Sequence, residues 1–361
     1  MIQVPLEIAV KSGARLAKPI YGTAGQVLLR EGIVLNSRFA DRLSELGISA
    51  VFIEGGKVKV DEPIAVDVRL KASQALGSVG RGLEKVNLCA IVSDILDDVL
   101  SLRGIVESVS SICTYDGYTY THSVDVSVIS MSVGLQLGYK RHTLLELGIG
   151  GLMHDIGKLK IPYDIINKPG TLSEDEFDLV KTHTVQGYEL IKNHKQVSSR
   201  SAAMVLEHHE RWDGRGYPDG KKKREIQLFS AICGVADIYN AMTTTRSYRP
   251  AHPPHEVYEF ILGMGDTFFD YEVIKAFARC IVPYPRGTLV RTSDLRVAQV
   301  VSNDTDHPYL PVVVFLDDPE DKEVNLLKAG LTVKSAVTLE EKEFILLNHK
   351  LPVPVDERRA S

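Results

Sequence analysis

Residues 208–220 read H-H-E-R-W-D-G-R-G-Y-P-D-G, two adjacent histidines followed by a glycine-rich loop. Adjacent imidazoles are poor core residues, because every ring nitrogen needs a partner once buried. They are good ligands for a borderline transition metal. The plain alternative is a surface loop rich in turn formers, and the choice depends on whether further ligands exist. Among the eleven histidines, His154 is followed by Asp155, while His122, His183 and Asp237 stand on apolar or small-residue helical faces. A lone histidine on such a face is more often a satisfied core residue than a ligand. The joint set of His122, His154, His183, His208 and His209 with Asp155 and Asp237 is harder to dismiss, since burying it without a cation leaves a large desolvation cost unrecovered. Mixed imidazole and carboxylate groups suit iron, manganese or zinc rather than a lone magnesium or calcium. So many ligands exceed what one ion takes. A carboxylate such as Asp155 can bridge two ions, which makes a two-metal site the economical reading.

Helices must position these groups. His122, Val126, Ile129 and Val133 recur at i, i+4, i+7 and i+11, which predicts a helix even though Val124, Val126 and Val128 alternate as a strand would. Leu145, Ile149, Leu152 and Ile156 predict the next helix, ended by Gly157 near His154-Asp155. Ser173 and Glu176 spell a capping box before a helix whose stripe is Leu179, His183 and Leu190. Ala202, Val205 and His209 share one face. Ser230, Cys233, Gly234, Asp237 and Ala241 share another, where small neighbours let Asp237 approach other elements.

Around this helical heart the pattern differs. Residues 1–60 read as a small α+β module, with short apolar runs at 15–20, 26–29 and 50–53. A helix over 37–46 is capped by Ser37 and buries Phe39, Leu43 and Leu46. With no titratable cluster, an adaptor or dimerisation role outranks chemistry there. Residues 61–107 read as a helical connector, with Ile91, Ile95, Val99 and Leu102 on one stripe. Residues 283–361 read as a β-rich module with strands near 288–291, 297–301 and 311–316, and a disordered end at 355–361.

Composition narrows the function classes. The 361 residues are 44% hydrophobic and 25% charged, ordinary for a globular protein with a real core. A formal net charge of -5 gives no basic field for nucleic acid. Cys89, Cys113, Cys233 and Cys280 form no C-x-x-C pair and read as buried reduced thiols. Neither a signal peptide nor an apolar run of membrane-spanning length is visible, so a cytoplasmic protein with no membrane role is expected.

Several motifs fall in order: Y-T-x-x-H-S at 118–123, H-D-I-G-K at 154–158, I-P-x-x-I-x-N-K-P-G at 161–170, K-x-H-x-x-x-G at 181–187, the 208–220 motif, and R-S-Y-R at 246–249. Together they resemble the HD-GYP domain, a subgroup of the HD superfamily of metal-dependent phosphohydrolases, over residues 108–282. The resemblance implies a mainly α fold: an all-helical domain flanked by the small N-terminal α+β and C-terminal β-rich modules. It implies hydrolysis of the bacterial second messenger cyclic di-GMP to pGpG or GMP, with two divalent metal ions, iron or manganese. His122, His154, Asp155 and Asp237 match the HD core ligands, and His183, His208 and His209 those completing the second position, with Asp155 the bridge. Lys158 is expected beside the reacting phosphate, Arg246 and Arg249 as a phosphate clamp, and Tyr217 with Pro218 at the pocket mouth or on a protein-docking surface. Asp213 is expected behind the ligands. The run 221–224 is either solvated or steers an anionic substrate locally. Diguanylate cyclases (GGDEF proteins) are possible partners, and a homodimer is compatible with the helical connector.

The sequence departs from the family pattern at three places. Tyr118 stands where some members carry a glutamate associated with a third metal, so a binuclear site is expected. Asn240 replaces a second acid three residues after Asp237. Lys221 follows Gly220 where leucine is usual. Two other readings stay open: an HD phosphohydrolase acting on another nucleotide, and a catalytically weak module that binds cyclic di-GMP or a diguanylate cyclase.

Overall fold

The computed structural model describes residues 1–361 except 23–25, 47, 63, 103–105, 107–117, 169, 245–250 and 349–361. Cys113, Arg246, Arg249, the Tyr118 side chain and the end at 355–361 lie outside the described residues.

The chain opens with β1 (Ile2–Pro5), α1 (Leu6–Ser12), β2 (Ile20–Tyr21), β3 (Val27–Leu29), α2 (Ser37–Glu45) and β4 (Ala50–Ile53). Eleven helices follow among the described residues: α3 (Val66–Ser78), α4 (Leu88–Ser101), α5 (Tyr118–Gln136), α6 (Arg141–Met153), α7 (Tyr163–Ile166), α8 (Glu174–Lys181), α9 (His183–Ile191), α10 (Ser199–Glu207), α11 (Leu228–Thr243), α12 (Pro254–Gly263) and α13 (Tyr271–Ala278). Then come β5 (Leu289–Thr292), β6 (Val297–Ser302), β7 (Val312–Phe315), β8 (Glu323–Asn325), α14 (Leu326–Ala329), β9 (Val333–Ala336) and α15 (Leu339–Asn348). The predicted class holds: a helical domain with a small N-terminal α/β region and a C-terminal sheet. None of these helices is long and apolar enough to cross a membrane.

Residues up to Asp61 and from Tyr284 onward form one compact unit. Its larger sheet is antiparallel in the order β8-β7-β6-β5-β9. Successive strand residues point to opposite faces. Leu289 accordingly joins a core with Ile2, Val4, Leu16 and Ile53, while Val290, paired with Ala298 and Ala336, joins Val300, Val313 and Phe315. Gln299 bonds the N-terminal segment to this sheet. Its amide nitrogen donates to the Met1 carbonyl at 2.9 Å, and its oxygen accepts from Val58 N at 3.0 Å. The α2 cap is Asn36, one residue ahead of the expected Ser37, and accepts from Phe39 N.

The second unit holds α3 to α13 around one core. At its centre α5 is buried on every side from Thr121 to Gly134, its polar residues His122, Asp125, Ser127, Ser130 and Ser132 included. It packs against α3, α4, α6, α11 and α13. On α4 the buried residues are Leu88, Val92, Ile95, Leu96 and Val99, while Leu102 is exposed. Helix α4 therefore packs into this core, where the sequence suggests a connector. Cys233 and Cys280 are buried, but Cys89 is exposed, contrary to expectation.

Candidate metal centre

Three histidines reach the site by one local device. The last carbonyls of a helix have no partner within it. His154 and His208 cap α6 and α10, and His183 stands just after α8. Each directs Nδ1 to the carbonyl three residues earlier: Gly151 at 2.8 Å, Val205 at 2.9 Å and Val180 at 2.6 Å. A carbonyl only accepts, so Nδ1 carries the proton and, in the neutral ring, Nε2 offers its lone pair outward.

Two expectations about these elements need correction. Helix α6 stops at Met153, and Ile156 and Gly157 fall in a 3₁₀ turn spanning Ile156–Lys160. Gly157 does not end the helix. It is needed because a Cβ there would lie 1.8 Å from the His183 carbonyl oxygen. The predicted helix through Leu179, His183 and Leu190 is two helices broken at Thr182, with Leu179 and Leu190 exposed and His183 buried. The capping box of Ser173 and Glu176 is present.

The other groups come from mid-helix positions and from the loop. His122 on α5 and Asp237 on α11 meet with Nε2 and Oδ1 3.0 Å apart. His209 presents Nδ1 to Asp237 Oδ2 at 4.0 Å. Asp155 stands between two groups of imidazoles. Its Oδ2 is 3.3 Å from His154 Nε2 and 3.8 Å from His122 Nε2, while Oδ1 is 3.4 Å from His183 Nε2 and 3.9 Å from His208 Nε2. The structure thus brings all seven candidates together, as one cluster of His122, His154 and Asp237 and one of Asp155, His183, His208 and His209. Ligand atoms within each cluster lie within 4.8 Å of one another.

The electrostatics favour free lone pairs on His183, His208 and His209, whereas at His154 the pull of burial is outweighed by Asp155 and Asp237, which hold it above its ordinary value. Burial holds His208 well below the ordinary imidazole value, helped by His209, His154 and His183, and it takes His209 down to about 4. Burial also lowers His183. Burial alone would raise Asp155 and Asp237, but Lys158 with His154 for the first, and His122 for the second, hold both below the usual carboxylate range. Burial raises the Cys233 thiol well above its ordinary value, so it stays protonated and offers no thiolate.

These residues fit a metal ion. Buried His154 Nε2 and Asp155 Oδ1 have no hydrogen-bond partner, at a cost of about 1–3 kcal/mol for each such group. A cation would satisfy both. A neutral His122 with its proton on Nδ1 would also face Asp237 lone pair to lone pair at 3.0 Å, a contact that a cation between them makes favourable. Imidazole nitrogen with carboxylate oxygen is a donor set for first-row transition metals.

A layer behind the ligands escapes sequence reasoning. Asn240 Oδ1 lies 2.6 Å from His122 Nδ1, and Asn240 Nδ2 donates to Asp125 Oδ2 at 3.2 Å. Asp125 in turn pairs with Arg69 of α3. Burial pushes Asp125 up to about 6, with Arg69 the strongest group holding it down. The acid expected at 240 thus has a counterpart on α5, linked to His122 through the Asn240 amide. Asp125 follows His122 by three residues and so lies beside it on α5, next to the apolar stripe and not part of it.

The loop is held from below by Glu210, whose carboxylate accepts from the backbone nitrogens of Asp219, Gly220 and Lys221 at 2.7, 3.1 and 2.9 Å. Gly216 lets the loop turn back, since a Cβ there would lie 2.5 Å from the His209 carbonyl. The Tyr217 ring therefore packs on His209, 4.7 Å between centroids and tilted 30°. The Tyr217–Pro218 peptide is cis. Asp213 serves the loop instead of the ligands, bonding Arg211 at 2.7 Å and Arg215 N at 3.0 Å. Lys221 is paired with Glu207 at 2.7 Å, which removes it from the steering run. Lys158 Nζ pairs with Asp155 Oδ2 while its side chain is 30% exposed.

Comparison with known proteins agrees with this geometry. Residues 92–273, half of the chain, match the family described as HD domain. The cyclic di-GMP phosphodiesterase PA4108 of Pseudomonas aeruginosa is 34% identical over 223 residues, 62% of this chain and 54% of that protein. The cyclic di-GMP phosphodiesterase of Thermotoga maritima is 34% identical over 45% of each chain. The 3'3'-cGAMP-specific phosphodiesterase 3 of Vibrio cholerae is 36% identical over 45% of this chain and 35% of that one. The chain spans about half the length, or less, of these relatives. Among solved structures, Bd1817, an HD-GYP-type protein of Bdellovibrio bacteriovorus, shares the fold with a TM-score of 0.51 at 14% identity, covering 76% of this chain and 97% of that one. Motifs, cluster and matched family agree: the chain belongs to the HD-domain family, in its HD-GYP subgroup.

Proposed function

We propose that the protein is a metal-dependent phosphodiesterase that hydrolyses cyclic di-GMP to pGpG or GMP, with two divalent ions, iron or manganese. The observation that carries this reading is Asp155, whose two oxygens face separate groups of imidazoles. His122, His154 and Asp237 would hold one ion, His183, His208 and His209 the other, and Asp155 both. When bound, such a pair of ions supplies Lewis acidity to the phosphodiester and lowers the pKa of the attacking water. The residues of the chain do the rest. Carbonyls 151, 180 and 205 hold three rings in the tautomer that leaves Nε2 free. Lys158, partly exposed beside Asp155, can turn from that carboxylate to a non-bridging phosphate oxygen. Tyr217 covers one side of His209 and keeps water from that face. Arg246 and Arg249 are proposed, from the motif alone, to grip the phosphates.

The names of the relatives support cyclic di-GMP as substrate, and the similarity to 3'3'-cGAMP-specific enzymes supports a second reading, another cyclic dinucleotide. Protein reconstituted anaerobically with Fe(II) or Mn(II) should linearise cyclic di-GMP faster than 3'3'-cGAMP. Faster cleavage of 3'3'-cGAMP favours the second reading. No cleavage of either by metal-loaded protein sinks both.

A further inference from the structure

Arg69 lies on α3, outside the residues that match the HD-domain family. It heads the fully buried side chains by volume and is 1% exposed. A guanidinium keeps its charge at any accessible pH and needs acceptors when buried. Here it pairs with Asp125, also 1% exposed, on the neighbouring helix. Asp125 takes a hydrogen bond from the Asn240 amide nitrogen, and the Asn240 oxygen faces His122 Nδ1.

The two ends of an amide are nearly alike in shape and opposite in hydrogen-bonding sense, so neighbours decide which way it points. A carboxylate locked to a guanidinium only accepts, and it therefore takes the amide NH₂. The amide oxygen is left for His122, whose Nδ1 must then carry the proton. The unprotonated nitrogen of His122 is then Nε2, the atom that faces Asp237 and Asp155. We propose that Arg69 is a positioning residue of the metal centre: through Asp125 and Asn240 it fixes which nitrogen of His122 is available to hold the ion. This rests on the metal-centre reading above. Unlike His154, His183 and His208, His122 sits in mid-helix, where backbone carbonyls are already used, so this chain of side chains does the work that a carbonyl does elsewhere.

The test titrates Mn(II) alone into the metal-free full chain, as wild type, Arg69→Met, Arg69→Lys, Asn240→Leu and the Arg69 and Asn240 variants combined. Arg69→Met should weaken Mn(II) binding about 10–100-fold, the usual cost of removing a group behind a ligand, with an unchanged helical circular dichroism spectrum. Arg69→Lys should recover part of the loss. Because both changes break one chain of contacts, Arg69→Met with Asn240→Leu should lose no more than the worse single variant. Unchanged Mn(II) affinity in Arg69→Met, or additive losses in the double variant, overturns the proposal and leaves Arg69 a packing residue. If Arg69→Met does not fold, Arg69→Lys carries the test. Its loss should vanish in the Asn240→Leu background, and equal losses in both backgrounds, or none in either, overturn the proposal. A wild-type chain that binds no Mn(II) sinks the metal-centre reading itself.

Discussion

Gly157 packs so closely on His183 that a side chain at 157 would begin 1.8 Å from the His183 carbonyl oxygen. That contact joins the turn after Asp155 to the start of α9, and so fixes the separation of two groups that face each other at 3.4 Å. Gly157→Ala should therefore force the two segments apart. Overpacking of this kind costs about 1–3 kcal/mol, readable as a lower denaturant midpoint. Metal content should fall with it, because His183 moves away from Asp155. Wild-type stability together with wild-type metal content would show that the contact is not needed.

Glu210 is the second residue whose importance comes from backbone contacts. Its carboxylate gathers three consecutive loop amides, and hydrogen bonds to a charged group contribute about 1.5–3 kcal/mol each. In Glu210→Ala the loop that seats Tyr217 on His209 should loosen, with faster proteolysis within 211–220 and a raised KM. Metal content should stay near wild type, since Glu210 is in neither cluster. Loss of metal in this variant would place Glu210 in a different role.

Acid should destabilise the metal-free chain. Burial keeps His183 and His208 below their ordinary 6.5 and takes His209 to about 4. Unfolding returns these rings to water, where they bind protons near pH 6.5, so the unfolded state binds more protons in this range. Stability then rises with pH between about 4 and 6.5 and is lost as pH falls through that window. His154 and Asp125 work the other way: burial pulls His154 down, but Asp155 and Asp237 hold it above its ordinary value, and burial raises Asp125 to about 6, so both bind protons more readily in the fold and offset part of the loss. Asp155 and Asp237, held low by their cationic neighbours, extend the loss to more acidic pH. Between pH 7 and pH 5 the net loss should be about 1–3 kcal/mol, measured by urea unfolding of chelator-treated protein. A flat or rising profile on acidification contradicts the account.

Arg246→Ala is the contrasting case, argued from the motif at 246–249. It should raise KM for cyclic di-GMP about tenfold or more, as expected for loss of a bidentate phosphate contact, and leave bound metal unchanged. An emptied metal site would instead put Arg246 among the groups that build the centre.

The ligands were legible because chemistry restricts them. Histidines at helix ends and an aspartate among small residues have few reasons to be buried together. The helical domain was legible too, since apolar residues recur at helical spacing along α5, α6, α10 and α11, although α5 is buried on every side and Ile156 lies beyond the end of α6. Boundaries were harder. Leu179 and Leu190 keep helical spacing through Thr182, where the chain breaks into α8 and α9, because a ring that must reach Asp155 overrides the pattern. Arg69, Asp125 and Asn240 were invisible as a set, being far apart in sequence and joined only by packing. Leu289 and Val290 both read as strand, but that one faces a core shared with residues 2–53 shows only when the sheet is folded.

The central claim is that one carboxylate serves two metal positions. The direct measurement is the number of metal ions per chain after anaerobic loading with Mn(II), for wild type and for Asp155→Asn, which keeps the shape and removes the charge. The account predicts about two ions in the wild type and loss of both in the variant, with turnover of cyclic di-GMP down more than about a hundredfold. Wild-type metal content in Asp155→Asn, or a wild type that takes up no metal, would contradict it.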